Sequence, residues 1–105
     1  MPLKQLPAAA MLMLAVSALP ARAETVTVTI EGLVFSPAAI SAKVGDTIEW
    51  VNKDALAHTA TVKGGWEVMI PPKKTASMVL KEAGQVDYYC RFHPNMKGRI
   101  SVAAP

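Results

Sequence analysis

An all-β sandwich is the fold this sequence predicts, on three observations. The stretch Glu24 to Ile30 alternates threonine with Val26, Val28 and Ile30, the two-residue period of a half-buried strand. Further short apolar segments follow at close intervals, with Gly, Pro, Asn or Asp between them, as in sandwiches and barrels. Beyond residue 23, no segment keeps a 3.6-residue apolar period over about ten residues, so helices are not expected.

In chain order, the first element is a leader. Lys4 carries a positive charge, Ala8 to Leu19 is an apolar run with Ser17 its one polar residue, and Pro20 precedes the small-residue triplet Ala21-Arg22-Ala23. That is the layout of a secretory signal peptide over residues 1–23, cleaved after Ala23. The apolar run is too short for a membrane span, which needs roughly 18 to 20 residues. The mature domain is then residues 24–105, exported to the periplasm, with no membrane span of its own.

After the strand Glu24 to Ile30, Glu31-Gly32 breaks the alternation. Strands are expected at Ala39 to Val44, Asp46 to Asn52, His58 to Lys63, Trp66 to Ile70, Ala76 to Lys81, Gln85 to Cys90 and Arg99 to Ala103. Turns fall at Gly45-Asp46, Asn52-Lys53-Asp54, Gly64-Gly65, Pro71-Pro72, Gly84 and Pro94-Asn95. Alternation in the strand Gln85 to Cys90 puts Val86, Tyr88 and Cys90 on one face, so Cys90 points inward where the strand ends. Phe35 and Trp50 sit at strand positions and are expected in the core.

Composition excludes several functions. Without the leader, nine basic residues face eight acidic ones, a near-neutral balance that offers no electrostatic footprint for nucleic acid. No Gly-rich phosphate loop is present either. With one cysteine, no internal disulfide can staple a domain this small, and a bound metal could take that role.

The segment YYCRFHPNM, Tyr88 to Met96, spaces Cys90, His93 and Met96 three residues apart, leaving one strand and entering the next. Singly, each would ordinarily be packing. Together, on a tight loop, they can converge on one point. The other histidine, His58, opens a strand after a polar turn and is the natural fourth ligand. Two imidazoles, a thiolate and a thioether suit copper, the arrangement of type 1 (blue) sites, whereas structural zinc sites usually add paired cysteines.

With VFSPAAISAKVGDTIEWVNKD, HTATV and GQVDYYCRFHPNM in this order, nearly all of the mature chain resembles the cupredoxin family. The short Cys-x-x-His-x-x-Met loop, with Pro94 after the histidine, is most similar to the amicyanin-like members. The resemblance implies a Greek-key β-sandwich of about seven to eight strands. It implies that His58, Cys90 and His93 form a trigonal plane around one copper ion, that Met96 is a long axial ligand, and that His93 exposes a ring edge as the electron route. Two positions depart from the family pattern: Thr59 stands where many relatives tie the ligand loops together with Asn, and Val86 where many have Tyr.

The leading expectation is a monomeric, non-enzymatic periplasmic carrier that cycles one electron between larger redox proteins. Copper buffering or delivery is the alternative. A copper enzyme of the multicopper kind would need more histidines than the two present. Met69-Ile70-Pro71-Pro72 with Phe92 and Pro94 read equally as an apolar rim around His93 or as a buried strand end. Lys73, Lys74, Arg91, Lys97 and Arg99 read as solvated surface, or as a flank favouring an acidic redox partner.

Overall fold

The computed structural model describes residues 22–105, so the leader expected before them lies, apart from Arg22 and Ala23, outside the described residues. Nine strands and no helix occur among the described residues. They are β1 (Thr25–Ile30), β2 (Phe35–Ser36), β3 (Ala39–Lys43), β4 (Thr47–Asn52), β5 (His58–Thr61), β6 (Glu67–Ile70), β7 (Thr75–Val79), β8 (Gly84–Tyr89) and β9 (Lys97–Ala103). All eight expected strands are present, and the ninth is the two-residue β2, which pairs antiparallel with the end of β1.

The strands form two sheets, ordered β2-β1-β4-β7 and β3-β9-β8-β5-β6. β1 runs parallel to β4 and β3 parallel to β9; the other pairs are antiparallel. Alternation dictates the core: Val28 and Ile30 from β1, Ile48 and Trp50 from β4, Tyr88 from β8, and Ile100 and Val102 from β9 are all buried. Burying a large aliphatic side chain stabilises by about 1.5–3 kcal/mol, so these positions carry most of the fold's favourable free energy.

An aromatic cluster fills the middle. Tyr88 meets Phe35 edge-on at 4.8 Å and Trp50 edge-on at 5.8 Å between ring centroids, and Trp66 packs against both Trp50 and Tyr88. Trp50 Nε1–H donates to the Tyr88 hydroxyl at 3.3 Å, so neither buried polar atom is left unpartnered. Burial raises the Tyr88 phenol above its ordinary value, keeping it neutral.

β5 is buried at all four residues. His58 and Ala60 share one face, and Thr59 and Thr61 the other. β5 touches β8 through the pair Thr61 and Tyr89, which sets the start of β5 beside the point where the chain leaves β8 at Cys90. The two segments that carry the expected ligands therefore meet at one end of the sandwich.

Candidate metal centre

The loop after β8 explains the three-residue spacing. His93 N–H donates to the Cys90 carbonyl at 3.2 Å, and Met96 N–H to the His93 carbonyl at 2.8 Å. These are two successive four-residue turns, with Pro94 at the second position of the second turn, where its fixed φ is favourable. Cys90 N–H then donates to the Met96 carbonyl at 3.0 Å and closes the loop on itself.

His58 arrives on a second loop, shaped by Asn52. The buried Asn52 amide donates from Nδ2 to the carbonyls of Leu56 at 2.8 Å and Pro71 at 3.0 Å, and its Oδ1 accepts from Asp54 N–H at 2.9 Å. Asp54 Oδ2 lies 2.9 Å from His58 Nε2. The same carboxylate accepts from the backbone N–H groups of Gly32 at 2.7 Å and Leu33 at 3.0 Å. Desolvation opposes the charge on Asp54, but the Leu33 and Gly32 amides, with His58, outweigh it and hold the carboxyl below its ordinary value. An ionised Asp54 accepts the Nε2 proton, which leaves Nδ1 of His58 as the free lone pair facing inward.

Nδ1 of His58 stands 3.7 Å from Cys90 Sγ, and Nδ1 of His93 stands 3.6 Å from it. All three donor atoms lie within 4.8 Å of one another. Atoms bonded to one ion at about 2.0–2.3 Å and spread round it in a plane would stand roughly 3.6–3.7 Å apart, so the donor set fits a single ion. His58 and Cys90 are wholly buried, Met96 is buried among the core residues, and His93 is partly exposed. All four expected residues are thus brought together, with Met96 joined to Cys90 and His93 through the backbone.

Thr59, which departs from the family pattern, still ties the two loops. Its N–H donates to Cys90 Sγ at 3.4 Å and its Oγ1 accepts from Arg91 N–H at 2.8 Å. Thr59 Oγ1 is 2.8 Å from Thr61 Oγ1, which donates to Glu67 Oε1 at 2.8 Å. Glu67 in turn receives Arg91 Nε at 2.9 Å and Nη2 at 3.0 Å. A carboxylate only accepts, so Thr61 spends its one proton on Glu67, Thr59 spends its own on Thr61, and the Thr59 oxygen is free to accept from Arg91.

Asn52, Asp54, Thr61 and Glu67 are supporting residues that the sequence reading did not single out. Asp54, four residues before His58, offered the only local signal. The apolar rim is exposed at Met69 and Phe92 and buried at Ile70, so each alternative for that segment holds for part of it. Of the five cations read as a flank, Arg91 is paired with Glu67 and Arg99 with Asp87.

Residues 5–102 match the family model of the cupredoxin-like domain. The chain is 31% identical over 87 residues to an amicyanin of Paracoccus denitrificans, covering 73% of this chain and 64% of that protein. It thus spans just under two thirds of that relative's length. It is 37% identical over 92 residues to the methylamine utilization protein MauL of Methylorubrum extorquens, covering 83% of this chain and 81% of that one. The crystal structure of amicyanin from Paracoccus versutus superposes with a TM-score of 0.64 at 32% identity, over 80% of this chain and 84% of that one. The Cu(I) form of an amicyanin variant superposes with a TM-score of 0.68 at 29% identity, over 74% of this chain and 81% of that one.

Proposed function

The chain belongs to the cupredoxin-like family, and from that premise we propose that it is a periplasmic type 1 copper protein passing single electrons between larger redox proteins. The observation that carries this reading is one buried cysteine sulfur flanked by two imidazole Nδ1 atoms at 3.6 and 3.7 Å. Copper, the metal of this family, supplies one-electron exchange between its two oxidation states when bound.

The protein's own part is to hold the donors still and dry. His58 and His93 would hold the copper through their imidazole nitrogens and Cys90 through its thiolate, and Met96 would add a weaker thioether sulfur. Asp54 fixes the tautomer of His58, and the two turns between Cys90 and Met96 hold the other donors. A frame that moves little between oxidation states favours rapid electron transfer. The Thr59 N–H directed at Cys90 Sγ stabilises negative charge on that sulfur and so tunes the potential.

His93 is the one partly exposed imidazole and forms the outlet for electrons. Leu56 precedes His58, Met69 pairs with Thr59 across the sheet, and Phe92 adjoins His93; all three are exposed. This apolar surface suits brief docking to a redox protein. No catalytic role is assigned to any residue, and the protein acts as a monomer.

The test is to add copper(II) to purified Glu24 to Pro105. An intense blue charge-transfer band that a reductant bleaches reversibly is expected, and Cys90→Ser should stay colourless. Equal colour in that variant would exclude thiolate ligation. A carrier also keeps its copper against a moderate chelator in both oxidation states, whereas ready release would favour copper delivery instead.

A further inference from the structure

We propose that Asp46 is the built-in receptor for a new N-terminus created by cleavage between Ala23 and Glu24. Asp46 is 3% exposed, a buried carboxylate in the turn between β3 and β4. Its Oδ1 accepts from Glu24 N–H at 2.9 Å and from Lys43 Nζ at 3.2 Å, and its Oδ2 accepts from Lys43 N–H at 3.0 Å. Glu24 is held from the other side as well, since its carbonyl accepts from Thr47 N–H at 2.9 Å.

A backbone amide needs only a carbonyl as its acceptor. A desolvated carboxylate is a costly alternative unless positive charge accompanies it, which Lys43 Nζ supplies from one side and an ammonium at Glu24 would supply from the other. The residue it grips directly follows the triplet Ala21-Arg22-Ala23, a small-residue cleavage pattern. Ala23 and Glu24 are both exposed. A leader peptidase adds water across the Ala23–Glu24 amide: the C–N bond breaks, Ala23 leaves as a carboxylate, and the Glu24 nitrogen becomes an amine that takes a proton at neutral pH. The neutral N–H facing Asp46 becomes an ammonium, and a hydrogen bond with one charged partner becomes an ion pair between two opposite charges. Processing thereby tightens the start of β1 against β4 in the exported protein. This holds whether or not the metal centre is filled.

The remaining charged groups near Asp46 are Lys43, the Glu24 side chain, and Lys81 and Glu82, which follow the Leu80 whose N–H bonds the Asp46 carbonyl. All are common to the cleaved chain and to one retaining Ala23 alone, which adds no charged side chain, so a comparison of the two isolates the position of the α-amino group. Its pairing raises its folded-state pKa. The added stability is then fully present below the ordinary α-amino value of about 7.7–8.0 and is lost as pH rises through the folded value.

The full chain is exported through its own leader, its first residue read by mass spectrometry, and its α-amino group titrated by NMR. The result expected is a start at Glu24 and a midpoint above the ordinary range. The thermal midpoint should fall between about pH 7.5 and 10 more steeply than that of the longer chain. Asp46→Asn should return the titration to the ordinary range; if that variant does not fold, the two chain lengths decide alone. A different first residue, an ordinary midpoint, or identical pH profiles for the two chains would each overturn the proposal.

Discussion

At Gly98 a side chain has nowhere to go: an added Cβ would lie 2.5 Å from the Tyr88 hydroxyl oxygen and closer still to its ring carbon Cζ. Tyr88 cannot swing aside, because Phe35, Trp50 and Trp66 pack around it. Gly98→Ala should therefore destabilise the fold by about 1–3 kcal/mol, read as a lower denaturant midpoint at unchanged slope. A neutral result would show that the aromatic cluster is looser than its contacts imply. Asn52→Ala acts at the other ligand loop, where it strands the carbonyls of Leu56 and Pro71 and the Asp54 amide. Leaving buried groups unsatisfied costs about 1–3 kcal/mol, and this variant should also bind copper more weakly than Gly98→Ala does at equal stability. At this scale the ligands were legible, because turns of four residues place every third side chain of the loop on one side, and a three-residue spacing of Cys, His and Met is visible in one dimension. Asp54 was not, since an aspartate in a polar turn looks like any solvated turn residue until the Gly32-Leu33 backbone arrives against it.

Among the strands, β5 and β6 and the loop after β8 are joined by the chain from Arg91 N–H through Thr59 and Thr61 to Glu67 and back to the Arg91 guanidinium. The Arg91 guanidinium, and then the Thr61 hydroxyl, hold the Glu67 carboxyl below its ordinary value of 4.5. A lowered carboxyl contributes stability above that ordinary value and loses it as pH falls through the folded one. Glu67→Gln should therefore flatten the acid side of the stability profile, with denaturant midpoints at about pH 7 and 3.5 closer together than in the parent. Thr61→Val breaks the hydroxyl relay without altering the backbone, and copper should pass to a chelator about five- to tenfold faster, in line with the loss of one hydrogen bond. Thr61→Ser should restore the parent rate; equal rates in all three proteins would show that the relay does not hold the ligand loop. Eight strands were legible from alternation and punctuation. β2 was not, because two residues carry no period, and it exists only because the end of β1 turns back on itself at Gly32 and Leu33, both with φ of 64°.

For the molecule as a whole, the absence of a disulfide matters most. Cys90 is the only cysteine and is buried, so a chain of this size relies on its core alone until a metal joins the strands. The candidate centre links β5 to the end of β8 and to the loop entering β9, segments that unfolding would separate. A ligand that binds only the folded state stabilises it by mass action, by about 2.7 kcal/mol at a free concentration one hundred times its dissociation constant. Copper should therefore raise the melting temperature by several degrees, and by more as its concentration increases. Cys90→Ser should abolish most of that rise, while its metal-free form melts close to the metal-free parent because a hydroxyl nearly fills the space of the thiol. The comparison separates two meanings of a small buried cluster. If the cysteine were only packing, copper would leave the parent's melting temperature where it was, and the serine variant would differ from it equally with and without the ion.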